Sequence, residues 1–287
     1  MNVRQLDISR RTIAVAAALI GTVSLAIGAH AALNMRGLDA AKAISTEQVT
    51  GATGRSSRLA LIIGNGHYPD ASAPLTQSIN DARALSSSLR RSGFDVDMVE
   101  DATRDDMVRA VARLKSRITR DSVVMLFFGG YGVQAGRQSY MMPIDAVIWK
   151  ENDVRRNGVS IESVLEMMKE QGAKAKLVVV DASRRNPYER RFRSYSHGLA
   201  PISAPDNALI LSSTAPGKVV DDGKGQNSVL VGELLNNLDA RNLEASSSVE
   251  SVFNKTRVAI SRASEGEQVP TVSSSLLDDV RVSDAGG

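Results

Sequence analysis

Two short apolar runs that end abruptly constrain this chain most. Ser122-Val-Val-Met-Leu-Phe-Phe128 stops at Gly129-Gly130-Tyr131-Gly132, and Lys176-Leu-Val-Val-Val180 stops at Asp181-Ala182-Ser183, with Asn186-Pro187 close behind. Apolar residues at successive positions, over a length too short for a helix, predict strands buried on both faces. Such strands belong to a parallel sheet covered by helices on each side, and its C-terminal strand ends are where loops assemble sites. The glycines after Phe128 permit a tight turn and close approach of backbone to a ligand. The two strand ends are therefore expected to be neighbours.

The rest of the chain supports the same architecture. Strand-like segments at Arg58–Ile63, Asp95–Val99 and Ala208–Ser213 alternate with helix-like segments at Ser78–Ser92, Arg104–Ile118 and Ile161–Gln171. Gln138–Pro143 reads as a short strand of a hairpin, and Val229–Leu238 and Val249–Ala263 as two closing helices. This alternation predicts an α/β fold with a mainly parallel sheet and helices on both faces. No internal repeat is visible. The boundaries read as residues 1–31 for an export segment, 32–56 for a flexible linker, 57–277 for one folded domain and 278–287 for a disordered tail.

The export segment rests on Arg4, Arg10 and Arg11 followed by the uncharged run Thr12–Ala29 and by Ala29-His30-Ala31, the layout of a signal peptide cleaved after Ala31. Retention of Thr12–Ala29 as a membrane anchor is the competing reading, since the run just reaches spanning length. Either way the domain is expected outside the cytoplasm, periplasmic or extracellular. Absence of cysteine removes disulfides, thiolate metal sites and thiol catalysis together. Beyond the export segment only His67 and His197 remain, too few to build a histidine metal site, and no cofactor is expected. A formal charge of +3 gives no case for nucleic acid. The dense basic stretch Arg184, Arg185, Arg190, Arg191 and Arg193, interleaved with Tyr188, Phe192 and Tyr195, reads first as a solvated loop.

Gly130-Tyr131-Gly132 and Asp181-Ala182-Ser183-Arg184 resemble the strand-end Gly-His-Gly and Asp-Ala-Cys-Arg signatures of the caspase-like cysteine peptidases, of metacaspase and bacterial orthocaspase type. Leu59-Ala-Leu-Ile-Ile-Gly-Asn65, Ile79-Asn-Asp-Ala82, Gly93-Phe94, Thr214-Ala-Pro-Gly217 and Gln268-Val-Pro270 extend the likeness over roughly residues 57 to 275. It implies the caspase-haemoglobinase fold, with a sheet of about six strands. It also implies a departure, since Tyr131 stands at the position of the catalytic histidine and Ser183 at that of the catalytic cysteine.

A cysteine peptidase needs a thiolate, a base to generate it and backbone donors for the oxyanion. Ser183 is a poor nucleophile without a base, and a tyrosine with a pKa near 10 does not replace a histidine at neutral pH. The expectation is a pseudopeptidase in which Tyr131 and Ser183 fill the old dyad space. The alternatives are a hydrolase using Ser183, for which His67 is the candidate base, and a purely structural interaction domain. The resemblance further implies that Asp81 and Asp181 line a pocket for an arginine or lysine side chain, so that a basic peptide segment is the expected partner. It places the oxyanion donors at the Gly132 and Ser183 amides. Two carboxylates favour a guanidinium through charge-assisted hydrogen bonds.

Overall fold

The computed structural model describes residues 57–281 except 70, 72–73, 185–197, 220–224 and 240–246. The export segment, the linker, most of the arginine-rich stretch and His197 lie outside the described residues. Among the described residues no helix is long and apolar enough to cross a membrane.

Strands β1 (Arg58–Gly64), β3 (Val123–Gly129) and β7 (Ala175–Asp181) have seven residues each, every one buried. With β2 (Asp95–Glu100), β8 (Ala208–Ser212) and β9 (Thr271–Ser274) they form a six-stranded sheet in the order β2-β1-β3-β7-β8-β9. All pairings are parallel except β8 with β9. A second sheet of three strands, β4 (Gly132–Ala135), β5 (Gln138–Met141) and β6 (Val159–Ser160), rises beyond the end of β3.

Alternate side chains of the central strands point to opposite faces and into separate cores. Ala60, Ile62, Val123, Met125, Phe127, Leu177 and Val179 meet α1 (Thr76–Arg91), α5 (Val229–Leu238) and α6 (Val249–Ala263). Leu61, Ile63, Leu126, Phe128, Val178 and Val180 meet α2 (Arg104–Arg117) and α4 (Ile161–Glu170). A third apolar cluster joins Tyr68, Tyr131, Val133, Tyr140 and Ile148 with Val154 of the short helix α3 (Glu151–Asn157). The sheet and its two helical layers match the α/β expectation.

Of the segment read as a tail from residue 278, the first four residues are described and pack on the domain, while 282–287 lie outside the described residues: Val280 is buried, its carbonyl accepts from Val249 N–H at 2.8 Å, and Arg281 bridges to Ser248. A buried valine and paired backbone outweigh the polar composition around them.

Candidate functional site

Gly129 of β3 lies opposite Asp181 of β7, and the hydrogen bonding continues past both strands. Gly130 N–H donates to the Asp181 carbonyl at 3.2 Å and Gly132 N–H to the Ala182 carbonyl at 2.8 Å. The loops carrying Tyr131 and Ser183 therefore run side by side. Both residues are buried, with exposures of 8% and 2%.

Tyr131 is held by Tyr68. The rings meet edge to face with centroids 4.8 Å apart, and the Tyr68 hydroxyl accepts the Tyr131 N–H at 3.1 Å while donating to the Met142 carbonyl at 2.8 Å. His67, the candidate base for Ser183, is held elsewhere. Its Nδ1 is 2.6 Å from Asp101 Oδ2, its ring is largely exposed, and β3 separates its strand from β7. Burial works against ionisation of Asp101, but hydrogen bonds from the His67 and Gly66 amides and from the His67 ring outweigh it and hold the carboxyl below its usual range.

The expected oxyanion donors fare differently from each other. The Gly132 amide is already bonded to Ala182, so in this conformation it does not face an incoming oxygen. The reason is local, because two parallel loops leaving adjacent strands satisfy each other's backbone groups first. No hydrogen bond to the Ser183 amide is found among the described residues.

Asp81, on the sheet-facing side of α1, and Asp181 converge beneath these loops. Burial, and then the charge of Asp181, pushes the Asp81 carboxyl up to about 7, against opposing hydrogen bonds. Its Oδ1 accepts from Asn227 Nδ2 at 2.8 Å and from Ser228 N–H at 3.0 Å, at the N-terminus of α5. The Oδ2 atoms of Asp81 and Asp181 are both buried without a hydrogen-bond partner among the described residues, as are the hydroxyls of Ser78 and Ser213. Ser78 is one helical turn before Asp81, and Ser213 follows β8 with its N–H on the Val180 carbonyl. A cation comes from the adjoining loop: Arg184 Nη2 stands 3.5 Å from Asp181 Oδ2, and Nη1 donates to the Asp181 carbonyl at 2.5 Å. The first contact is an ion pair without hydrogen-bond geometry, so the carboxylate oxygen keeps its unmet demand.

The family profile described as Caspase domain matches residues 57–281. The chain belongs to the caspase-domain family. Human mucosa-associated lymphoid tissue lymphoma translocation protein 1 is 29% identical over 148 residues, which are 50% of this chain and 17% of that protein. The mouse homolog is 28% identical over the same share. The chain thus spans about a sixth of the length of these relatives.

In this caspase domain, motif residues far apart in sequence meet around the strand ends. Gln268 Nε2 donates to the Ser213 carbonyl at 2.9 Å, and Asn65 Nδ2 to the Met142 and Ala102 carbonyls at 3.1 and 3.3 Å, while its Oδ1 accepts the Ala102 N–H at 2.8 Å. Asn65 was visible in sequence as the end of the Leu59–Asn65 motif, without a role assigned to it. Tyr68, Ser78, Ser213, Asn227 and Ser228 carried no signal, because their roles arise from contacts with distant segments.

Proposed function

We propose that this caspase domain is a pseudopeptidase, a binding or regulatory module that holds basic peptide segments without cleaving them. The observation that carries the reading is the convergence of Asp81 and Asp181, each with one buried oxygen that receives no hydrogen bond from the described residues. Buried polar atoms lacking partners are rare in folded proteins, and a guanidinium or ammonium group supplies the missing donors together with the opposite charge. Against catalysis stand Tyr131 and Ser183 at the dyad positions, His67 engaged with Asp101, and the Gly132 amide engaged with Ala182. Loss of either member of a nucleophile and base pair costs several orders of magnitude in rate. The N-terminal sequence supports export, with Thr12–Ala29 removed or kept as an anchor; the mass of the mature protein distinguishes the two.

Two measurements test the proposal. Incubation with fluorogenic peptides ending in arginine or lysine is expected to give no turnover, and turnover abolished by Ser183→Ala would overturn the inactive reading. Titration with an arginine-containing peptide is expected to show binding that weakens at least about tenfold in Asp181→Ala, the scale of one lost charge-assisted bond. A cation favours ionised Asp81, so affinity should rise from pH 6 to pH 8 as less protonation must be undone. Equal absence of binding in both proteins would remove the peptide-binding half.

A further inference from the structure

Three side chains on one face of α1 grip a single distant segment, residues 225–228. Gln77, Asn80 and Asp81 are spaced three and four apart on the helix, so they project side by side. Gln77 Nε2 donates to the Gly225 and Asn227 carbonyls at 2.7 and 3.3 Å, and Asn80 Nδ2 donates to the Gln226 carbonyl at 3.0 Å. Asp81 does the reverse and accepts, its Oδ1 taking both Asn227 Nδ2 and the Ser228 N–H. Ser228 is also the N-cap of α5, its hydroxyl accepting from Val231 N–H at 3.1 Å, so the carboxylate sits where the helix dipole favours an anion.

Asp81 is therefore divided. Oδ1 is committed to the segment that starts α5, while Oδ2, buried and without a donor among the described residues, is left for whatever enters beside Asp181. Burial and the Asp181 charge favour the protonated acid, and the donors on Oδ1 oppose them, so a proton on Asp81 belongs on Oδ2. Asp181 of β7 is the charged group that faces it, with Arg184 beyond. Helix α5 brings only the uncharged Asn227 and Ser228, and β1 and β3 meet α1 here through Gly64 and Gly129, beside Ser78.

We propose that Asn227 is a positioning residue for the acidic site, and that through it and the Ser228 amide an incoming cation draws residues 225–228 more tightly onto α1. The cation takes the place of the proton on Oδ2; the proton leaves to solvent, and the carboxylate carries its full charge. Hydrogen bonds to an ionised acceptor are shorter and stronger than those to a neutral one, so both bonds on Oδ1 strengthen. The coupling is reciprocal, because donors that favour the ionised carboxylate also favour the cation beside it. This rests on the peptide-binding reading above and adds its regulation, since occupancy of the acidic pair is passed to the start of α5.

Asn227→Ala tests the positioning role through pH. With one donor fewer, Asp81 holds its proton to higher pH, so affinity for an arginine-containing peptide is expected to fall about tenfold at pH 6. At pH 9, where the carboxyl is ionised in both proteins, it should return to within about twofold of wild type. Asn80→Ala loosens the same segment without touching Asp81, and any loss it causes should be alike at the two pH values. A loss in Asn227→Ala that is alike at both, or no loss at all, overturns the positioning role. The coupling is read in the wild-type protein from the Ser228 amide proton resonance, which should move downfield when saturating peptide is added at pH 6. It should move the same way when the pH is raised from 6 to 9 without peptide. Peptide that binds and leaves this resonance in place overturns the coupling while the peptide-binding reading stands. A resonance that moves with pH in a protein that binds no peptide supports the coupling, and removes instead the peptide-binding reading.

Discussion

Asp81 sits deep in the protein beside a second carboxylate, and its raised pKa ties stability to pH. An unperturbed aspartate titrates at about 3.9, so between there and about 7 the folded state keeps a proton that the unfolded chain has lost. The stabilisation is complete below about pH 4 and is lost as pH rises through 7. Asp81→Asn keeps an acceptor for Asn227 and Ser228 and adds a donor toward Asp181, which removes this penalty. The variant should match wild type near pH 4 and exceed it at pH 8 by up to a few kcal/mol, at about 1.4 kcal/mol for each tenfold change in proton affinity; urea midpoints at the two pH values check it. Arg184 makes the opposite case. Arg184→Met strips the cation from a buried Asp181, which should cost about 3–5 kcal/mol at pH 8 and less at pH 5, where Asp81 carries its proton.

Among the elements, the turn from β3 into β4 is the least tolerant of added volume. A Cβ on Gly132 would meet Leu199 Cδ2 at 2.5 Å, Ala182 Cβ at 2.9 Å and the Ala182 carbonyl oxygen at 3.0 Å. Leucine can swing aside but the Ala182 backbone cannot without shifting β7's loop, so Gly132→Ala should destabilise by about 1–3 kcal/mol. Faster hydrogen exchange at the Gly217 amide, which donates to the Leu199 carbonyl at 3.1 Å, would accompany it. The same region marks how far the sequence was legible. Strands β1, β3, β7 and β8 announced themselves as unbroken apolar runs and the long helices by a repeating apolar period, and β2 followed from its place between two helices. Strands β4, β6 and β9 and helix α3 did not, being two to seven residues long and half polar. At the site, Asp81 and Asp181 were readable from short motifs. Asn227 and Ser228, which grip Asp81, lie 146 and 147 residues further on and became partners only through packing of α1 on α5.

For the folded domain, closure depends on its last described residues. Truncation after Leu277 exposes the surface that Val280 covers, frees Val249 N–H and removes the Arg281 carbonyl that accepts from Arg58 Nη1 at 3.1 Å. A loss of about 2–4 kcal/mol is expected, from burial of one valine and the cost of unmet polar groups, and thermal melting would register it. Activity is also a property of the whole arrangement. Restoring the dyad with Tyr131→His and Ser183→Cys together should give no measurable hydrolysis while the Gly132 amide stays bonded to Ala182, and activity from that double variant would show that this amide turns readily. The Arg58 to Arg281 contact has one more effect, on timing. The opening strand holds a buried guanidinium that donates to a carbonyl made 223 positions later, so this contact between the two ends of the domain closes only after nearly the whole of it has been synthesised.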